Sequence, residues 1–85
     1  MKMIYTPGSD NITRFAWDGT NLYIEFKKTL QVYGYLDCPS SVYDAMLVSE
    51  SVGSFFHACV KKAFVCVKLP EVQARAMGFE LTSTV

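Results

Sequence analysis

The 85-residue sequence predicts a small α+β domain: an antiparallel three- to four-stranded β-meander packed on one face by two α-helices. Three features point to it. Residues 12–36 fall into three short β-rich runs separated by turn residues. Residues 52–64 carry apolar side chains at helical spacing. Pro39 stands where the first pattern gives way to the second, just after Tyr33-Gly34-Tyr35 at the centre of the third run.

Residues 1–8 read as an N-terminal arm closed by Pro7-Gly8. Met3, Ile4 and Tyr5 are too apolar for a free tail and are expected to pack. Ile12 to Trp17 is the first predicted strand. Asp18-Gly19-Thr20-Asn21 is a turn of residues that tolerate positive φ. Leu22 to Lys27 alternates, with Leu22, Ile24 and Phe26 on one face and Tyr23, Glu25 and Lys27 on the other. Lys27-Lys28-Thr29 turns the chain into a third strand, Leu30 to Leu36. Gly34 flattens one face of that strand, as a close approach or a covering ring requires. This turns Tyr33 and Tyr35 towards the helices, beside Phe15 and Trp17. Arg14, Tyr23, Glu25, Lys27, Val32 and Gly34 are left on an outer face, expected to be solvated or a protomer contact.

Pro39 suits the first turn of a helix over 39–48, with Val42, Tyr43, Met46 and Leu47 on one stripe. Ser51 is a fitting N-cap for the next helix. Val52, Phe55, Phe56, Cys59, Val60, Ala63 and Phe64 then follow an amphipathic pattern, with Ser54, His57, Lys61 and Lys62 opposite. Val65 to Leu69 reads as a fourth strand. Pro70-Glu71 opens a weak helix that Gly78 closes. Phe79, Leu81 and Val85 share one face of an extended tail. The division expected is an arm (1–8), a domain (9–69) and a C-terminal extension (70–85) suited to an interchain contact.

A composition of 51% apolar and 14% aromatic residues builds a core without metals or disulfides and leaves apolar surface for a partner. Eight Lys+Arg balance eight Asp+Glu, so the chain lacks the field of a sequence-independent nucleic-acid binder. Lys27-Lys28 and Lys61-Lys62 offer only local basic doublets. Cys38, Cys59 and Cys66 show no CxxC or zinc-finger spacing and read as free thiols of a reducing compartment. The first residues lack a signal-peptide core, and no apolar run is long enough to span a bilayer. The expectation is a soluble, cytoplasmic protein with no membrane partner and no cofactor.

Catalytic constellations are missing from the sequence. His57 is the only histidine, no Ser or Cys motif frames it, and the five glycines form no phosphate loop. The predicted protein is not an enzyme. Tyr33 and Tyr35 read either as a base-stacking platform or, preferentially, as core rings with their hydroxyls at the rim. In either case their phenols, placed near Ser51 and Gly53 at a helix N-terminus, would form a polar pocket for phosphate or carboxylate. His57 and Lys61 complete that candidate site. Arg14, on the outer face, is a further candidate cation for RNA.

The order of Ser9 with Ile12, Trp17-Asp18, Leu22/Ile24/Phe26, Tyr33-Gly34-Tyr35, Pro39 with Val42-Tyr43, and Ser51-Val52-Gly53-Ser54-Phe55-Phe56 resembles the KTSC family over residues 9–69. That short domain occurs at the C-terminus of some lysyl-tRNA synthetases and as a stand-alone bacterial or phage protein. This chain departs from the family pattern at Lys28-Thr29, where a Gly is usual, at Ser49 in place of Ala, and at His57 in place of Asn. The resemblance implies no catalytic residues, and the synthetase fusion suggests RNA binding. Two functions follow as expectations. One is a non-enzymatic module that binds, and sequesters, RNA or a nucleotide-type small ligand. The other is a homo-oligomeric interaction module, such as a phage inhibitor of a host protein, with no nucleic-acid ligand. The two meet if oligomerisation builds a nucleotide pocket between subunits.

Overall fold

A computed structural model describes residues 1–29 and 31–79. Its centre is one antiparallel sheet of five strands in sequence order, β1 (Ile4–Tyr5), β2 (Ile12–Trp17), β3 (Leu22–Phe26), β4 (Val32–Tyr35) and β5 (Cys66–Lys68). The predicted meander is therefore present, with five strands rather than three to four. The addition is β1: Ile4 pairs with Phe15 and Tyr5 with Arg14, so the apolar arm packs by joining the sheet edge. Two residues are too few to show a strand period in the sequence. Gly19 has a φ of +101° in the turn between β2 and β3, as its place among turn residues predicts.

Two helical segments follow β4. Helix α1 spans Ser40–Leu47, and α2 spans Val52–Phe55 with the Ser51 hydroxyl accepting from the Ser54 N–H at 3.3 Å. Helix α2 runs directly into one π-helical turn, Phe56–Val60, closed by the Lys61 N–H donating to the Phe56 carbonyl at 2.9 Å. The predicted stripe survives at Phe56 and Val60, both buried, and at half-buried Phe64. Cys59 and Ala63 are exposed instead. A π turn holds more residues than an α turn, which rotates the positions after it out of the α-helical phase.

The main core lies between the sheet and these helices. Ile12, Phe15, Leu22, Ile24, Tyr35, Cys38, Met46, Phe56 and Val60 are buried in one cluster, with Trp17, Phe26 and Tyr33 packed against it. Pairing of Ile24 with Tyr33 and of Leu22 with Tyr35 puts both tyrosines on the helix side, as the Gly34 argument predicts. Trp17 stacks on Tyr43 of α1 at 5.1 Å, and its indole N–H donates to the Cys38 carbonyl at 2.9 Å.

The opposite face corrects the expectation of a solvated or interprotomer surface. Ala16, Tyr23, Val32, Leu69, Ala74 and Phe79 form a second buried cluster, covered by α3 (Glu71–Ala76) and Phe79 of the same chain. Gly78, at a φ of +105°, ends α3 and turns the chain so that Phe79 enters the cluster. Gly34 accommodates its cover: a Cβ there would lie 3.1 Å from the Tyr23 ring and 3.3 Å from Leu69. Arg14 and Glu25, only 6% and 2% exposed, form an ion pair within this face. The Arg14 guanidinium also donates to the Tyr5 hydroxyl at 3.4 Å and lies 5.7 Å from the Phe79 ring centre. Burial works against its charge, but the contacts with Glu25 and Tyr5 outweigh that and hold its pKa above the usual arginine value. Most of the polar outer face is thus buried, with Arg14 and Glu25 neutralising each other, while Lys27 at its end stays exposed. The remainder of the predicted tail strand, 80–85, lies outside the described residues.

Candidate functional site

Three predicted site residues meet at one cleft. Tyr33, His57 and Lys61 line it together with Asn11, Phe26, Lys28, Thr29 and Phe56, enclosing about 380 Å³. Tyr33 arrives from β4, and its hydroxyl donates to the Gln31 side-chain carbonyl at 3.2 Å. Phe26, at the end of β3, meets Tyr33 edge-to-face at 5.7 Å and Phe56 at 5.3 Å. Lys28 and Thr29 come from the turn between β3 and β4. The π turn supplies Phe56 as floor and His57 as exposed wall, with their rings 5.5 Å apart. The result is an aromatic floor rimmed by two ammonium groups and an imidazole, with no carboxylate among the described residues of the lining.

A second, smaller chamber of about 210 Å³ adjoins the cleft through Asn11 and His57, which line both. Its walls include Ser9, Asp10, Ser51, Gly53 and Ser54. Ser9 braces one wall by accepting from the N–H groups of Asn11 and Ile12 at 3.3 and 3.1 Å. Gly53 brings α2 close to that wall: a Cβ there would lie 3.5 Å from the Asn11 amide nitrogen and 3.7 Å from the Ser9 hydroxyl. The Lys27 N–H donates to the Asn11 carbonyl at 2.8 Å, and the Lys27 ammonium donates to the Ser9 carbonyl.

Thus Ser51, Gly53 and His57 share a chamber, while Tyr33, His57 and Lys61 share the cleft beside it. The phenols expected beside Ser51 and Gly53 are replaced there by the loop Gly8–Asn11. Tyr35 is 4% exposed, packs against Phe56 at 5.4 Å, and takes no part in either space. Burial and a hydrogen bond with the Cys66 thiol push its phenol pKa up. Arg14 lies on the opposite face of the sheet, in its ion pair. Phe26, Lys28, Thr29 and Asn11 were not singled out from the sequence. The Lys27-Lys28 doublet was a signal for the second of these; Asn11 carries none, since only the folded loop brings it to α2.

The surroundings add no metal chemistry: among the described residues no group of three or more His, Cys, Asp or Glu could hold an ion. Cys38, Cys59 and Cys66 carry free thiols, and burial raises the pKa of the Cys38 thiol. Among the described residues no helix is long and apolar enough to cross a membrane.

Comparison with known proteins places the fold. The solved structure of a KTSC domain protein from Yersinia pestis superposes with a TM-score of 0.74 at 25% identity, covering 81% of this chain and 97% of that one. No curated protein matches the chain. The family model of the KTSC domain matches residues 8–64, which include every described residue lining the cleft and the chamber. On that match, the chain belongs to the KTSC domain family.

Proposed function

We propose that the protein is a non-enzymatic binding module whose cleft holds a nucleotide-type ligand, free or as part of a short RNA. The observation that carries this reading is the pairing of an aromatic floor with a rim whose described residues are cationic or neutral. A base stacks on Tyr33 and Phe26, while Lys28 and Lys61 neutralise its phosphate. The cleft volume falls within the range of small-molecule sites, roughly 300–1,000 Å³. One bound nucleotide per cleft would make the protein a sequestering agent rather than a catalyst. The neutral overall charge fits a local ligand better than a long nucleic acid.

The reading predicts saturable binding of ribonucleoside monophosphates that weakens as salt rises. Lys61→Ala is expected to lower affinity by about tenfold and to reduce the log–log salt slope by about one, as loss of one phosphate contact does. Isothermal titration from low to physiological salt checks both. Heat that stays flat at the lowest salt for every nucleotide and for short oligoribonucleotides would sink the proposal.

A second reading, self-association, has its own support at the sheet edge. Among the described residues β5 is the last strand of the sheet, with Val65 68% and Val67 42% exposed. The Val65 carbonyl and the Leu69 N–H point to β4, so alternation turns the backbone groups of Cys66 and Lys68 outward. A second copy running antiparallel about Val67 would match Cys66 with Lys68 in both directions. Light scattering on the purified chain should then give twice the chain mass, and Val67→Lys should return it to the monomer mass. A monomer at high concentration would remove this reading.

A further inference from the structure

We infer that the chamber beside the cleft is a ribose subsite, so that the protein selects ribonucleotides over deoxyribonucleotides. This rests on the cleft being a nucleotide site, and it adds the sugar that the site reads. The two spaces share Asn11 and His57, so a ligand whose base and phosphate occupy the cleft can extend its sugar between those side chains. Their linings differ in kind. The cleft is aromatic and cationic. The chamber presents the Asp10 carboxylate, the Asn11 amide and the hydroxyls of Ser9 and Ser54.

That set matches a vicinal diol. An ionised carboxylate only accepts hydrogen bonds, an amide both donates and accepts, and each ribose hydroxyl needs one of each. Ser9 is held with its oxygen already accepting two backbone N–H groups, which leaves its hydroxyl proton to donate. The Ser51 hydroxyl lies 3.1 Å from that of Ser54 and donates to it, leaving the Ser54 proton free for a ligand. Asp10 and Asn11 are exposed at the wall rather than spent in the core. The same carboxylate argues against a second phosphate in the chamber, because like charges at close range repel. A small neutral polyol remains, and between a base and a phosphate that polyol is ribose. An acceptor carboxylate reading a ribose 2′-hydroxyl is a recurrent solution in nucleotide sites.

The test is a titration of the full chain with the four ribonucleoside 5′-monophosphates and their 2′-deoxy counterparts, for the native protein, Asp10→Ala and Lys61→Ala. The native protein is expected to bind the preferred ribonucleotide roughly tenfold more tightly than its deoxy form, the loss of one charge-assisted hydrogen bond. Asp10→Ala should collapse the ratio of ribonucleotide to deoxynucleotide affinity to about one, as loss of the group that reads the 2′-hydroxyl requires. Lys61→Ala should weaken both equally and preserve their ratio. Equal native affinity for the two sugars, with both weakened by Lys61→Ala, would overturn the ribose subsite while leaving the cleft reading intact. Absence of binding by all eight nucleotides would overturn both.

Discussion

Glu25→Leu is expected to destabilise the domain by about 3–5 kcal/mol, because it leaves the Arg14 charge buried without its carboxylate. Arg14 is 6% exposed and Glu25 2%, so water cannot replace the lost partner without opening the sheet. The Tyr5 hydroxyl and the Phe79 ring also lie near the guanidinium. Small domains have only about 5–15 kcal/mol of stability in total, so the variant should melt at least 12 °C lower, on the order of 4 °C per kcal/mol. The double variant Arg14→Met/Glu25→Leu should recover most of that loss, since an apolar pair of similar volume replaces a buried ion pair at little cost. Urea denaturation of the three proteins checks this. A loss below about 1 kcal/mol in the single variant is the size of an exposed ion pair, and would contradict the covering of this face by α3 and Phe79.

Phe56→Ala should cost a similar amount, about 3–5 kcal/mol, by the loss of a buried ring and the cavity it leaves. Phe56 is 3% exposed and stands where three parts of the structure meet. It contacts Phe26 from β3 at 5.3 Å and Tyr35 from β4 at 5.4 Å, and it begins the π turn that carries His57. Removing it therefore weakens the contact of helix with sheet and the floor of the cleft together. The fold should loosen first on the cleft side, seen as loss of amide-exchange protection in the π turn before β2. A drop of under 1 kcal/mol would mean that the ring is not a member of the core.

The fold was legible where side-chain period decides structure. Leu22, Ile24 and Phe26 announced β3 and its inward face, and Gly34 located the side of the sheet that something must cover. The hidden parts have physical causes. The arm made β1 with two residues, below any detectable period. The outer face read as solvated because Arg14 and Glu25 are polar, and the sequence does not show that they neutralise one another across β2 and β3. The π turn was invisible to an α-helical period, which is why Cys59 and Ala63 were expected inside. Of the predicted site residues, His57 and Lys61 were read from the polar face of their helix and Ser51 and Gly53 from its N-terminus, and they line the cleft and the chamber. Tyr35 was misplaced with them because alternation puts it on the face of Tyr33, whereas depth in the core, set by packing under Phe56, removes it from the cleft. Asn11 and Asp10 carry no such signal, since they reach the two spaces only through the folding of a loop.

The most direct measurement is a map of backbone amide NMR shifts during titration with the ribonucleoside monophosphates. The proposed site predicts saturable changes centred on Asn11, Lys28, Thr29, Tyr33, His57 and Lys61, spreading to Ser9 and Ser54 but not across the sheet to Arg14 or Ala74. A spectrum unmoved at millimolar ligand, or changes gathered on β5 and α3 instead, would contradict it.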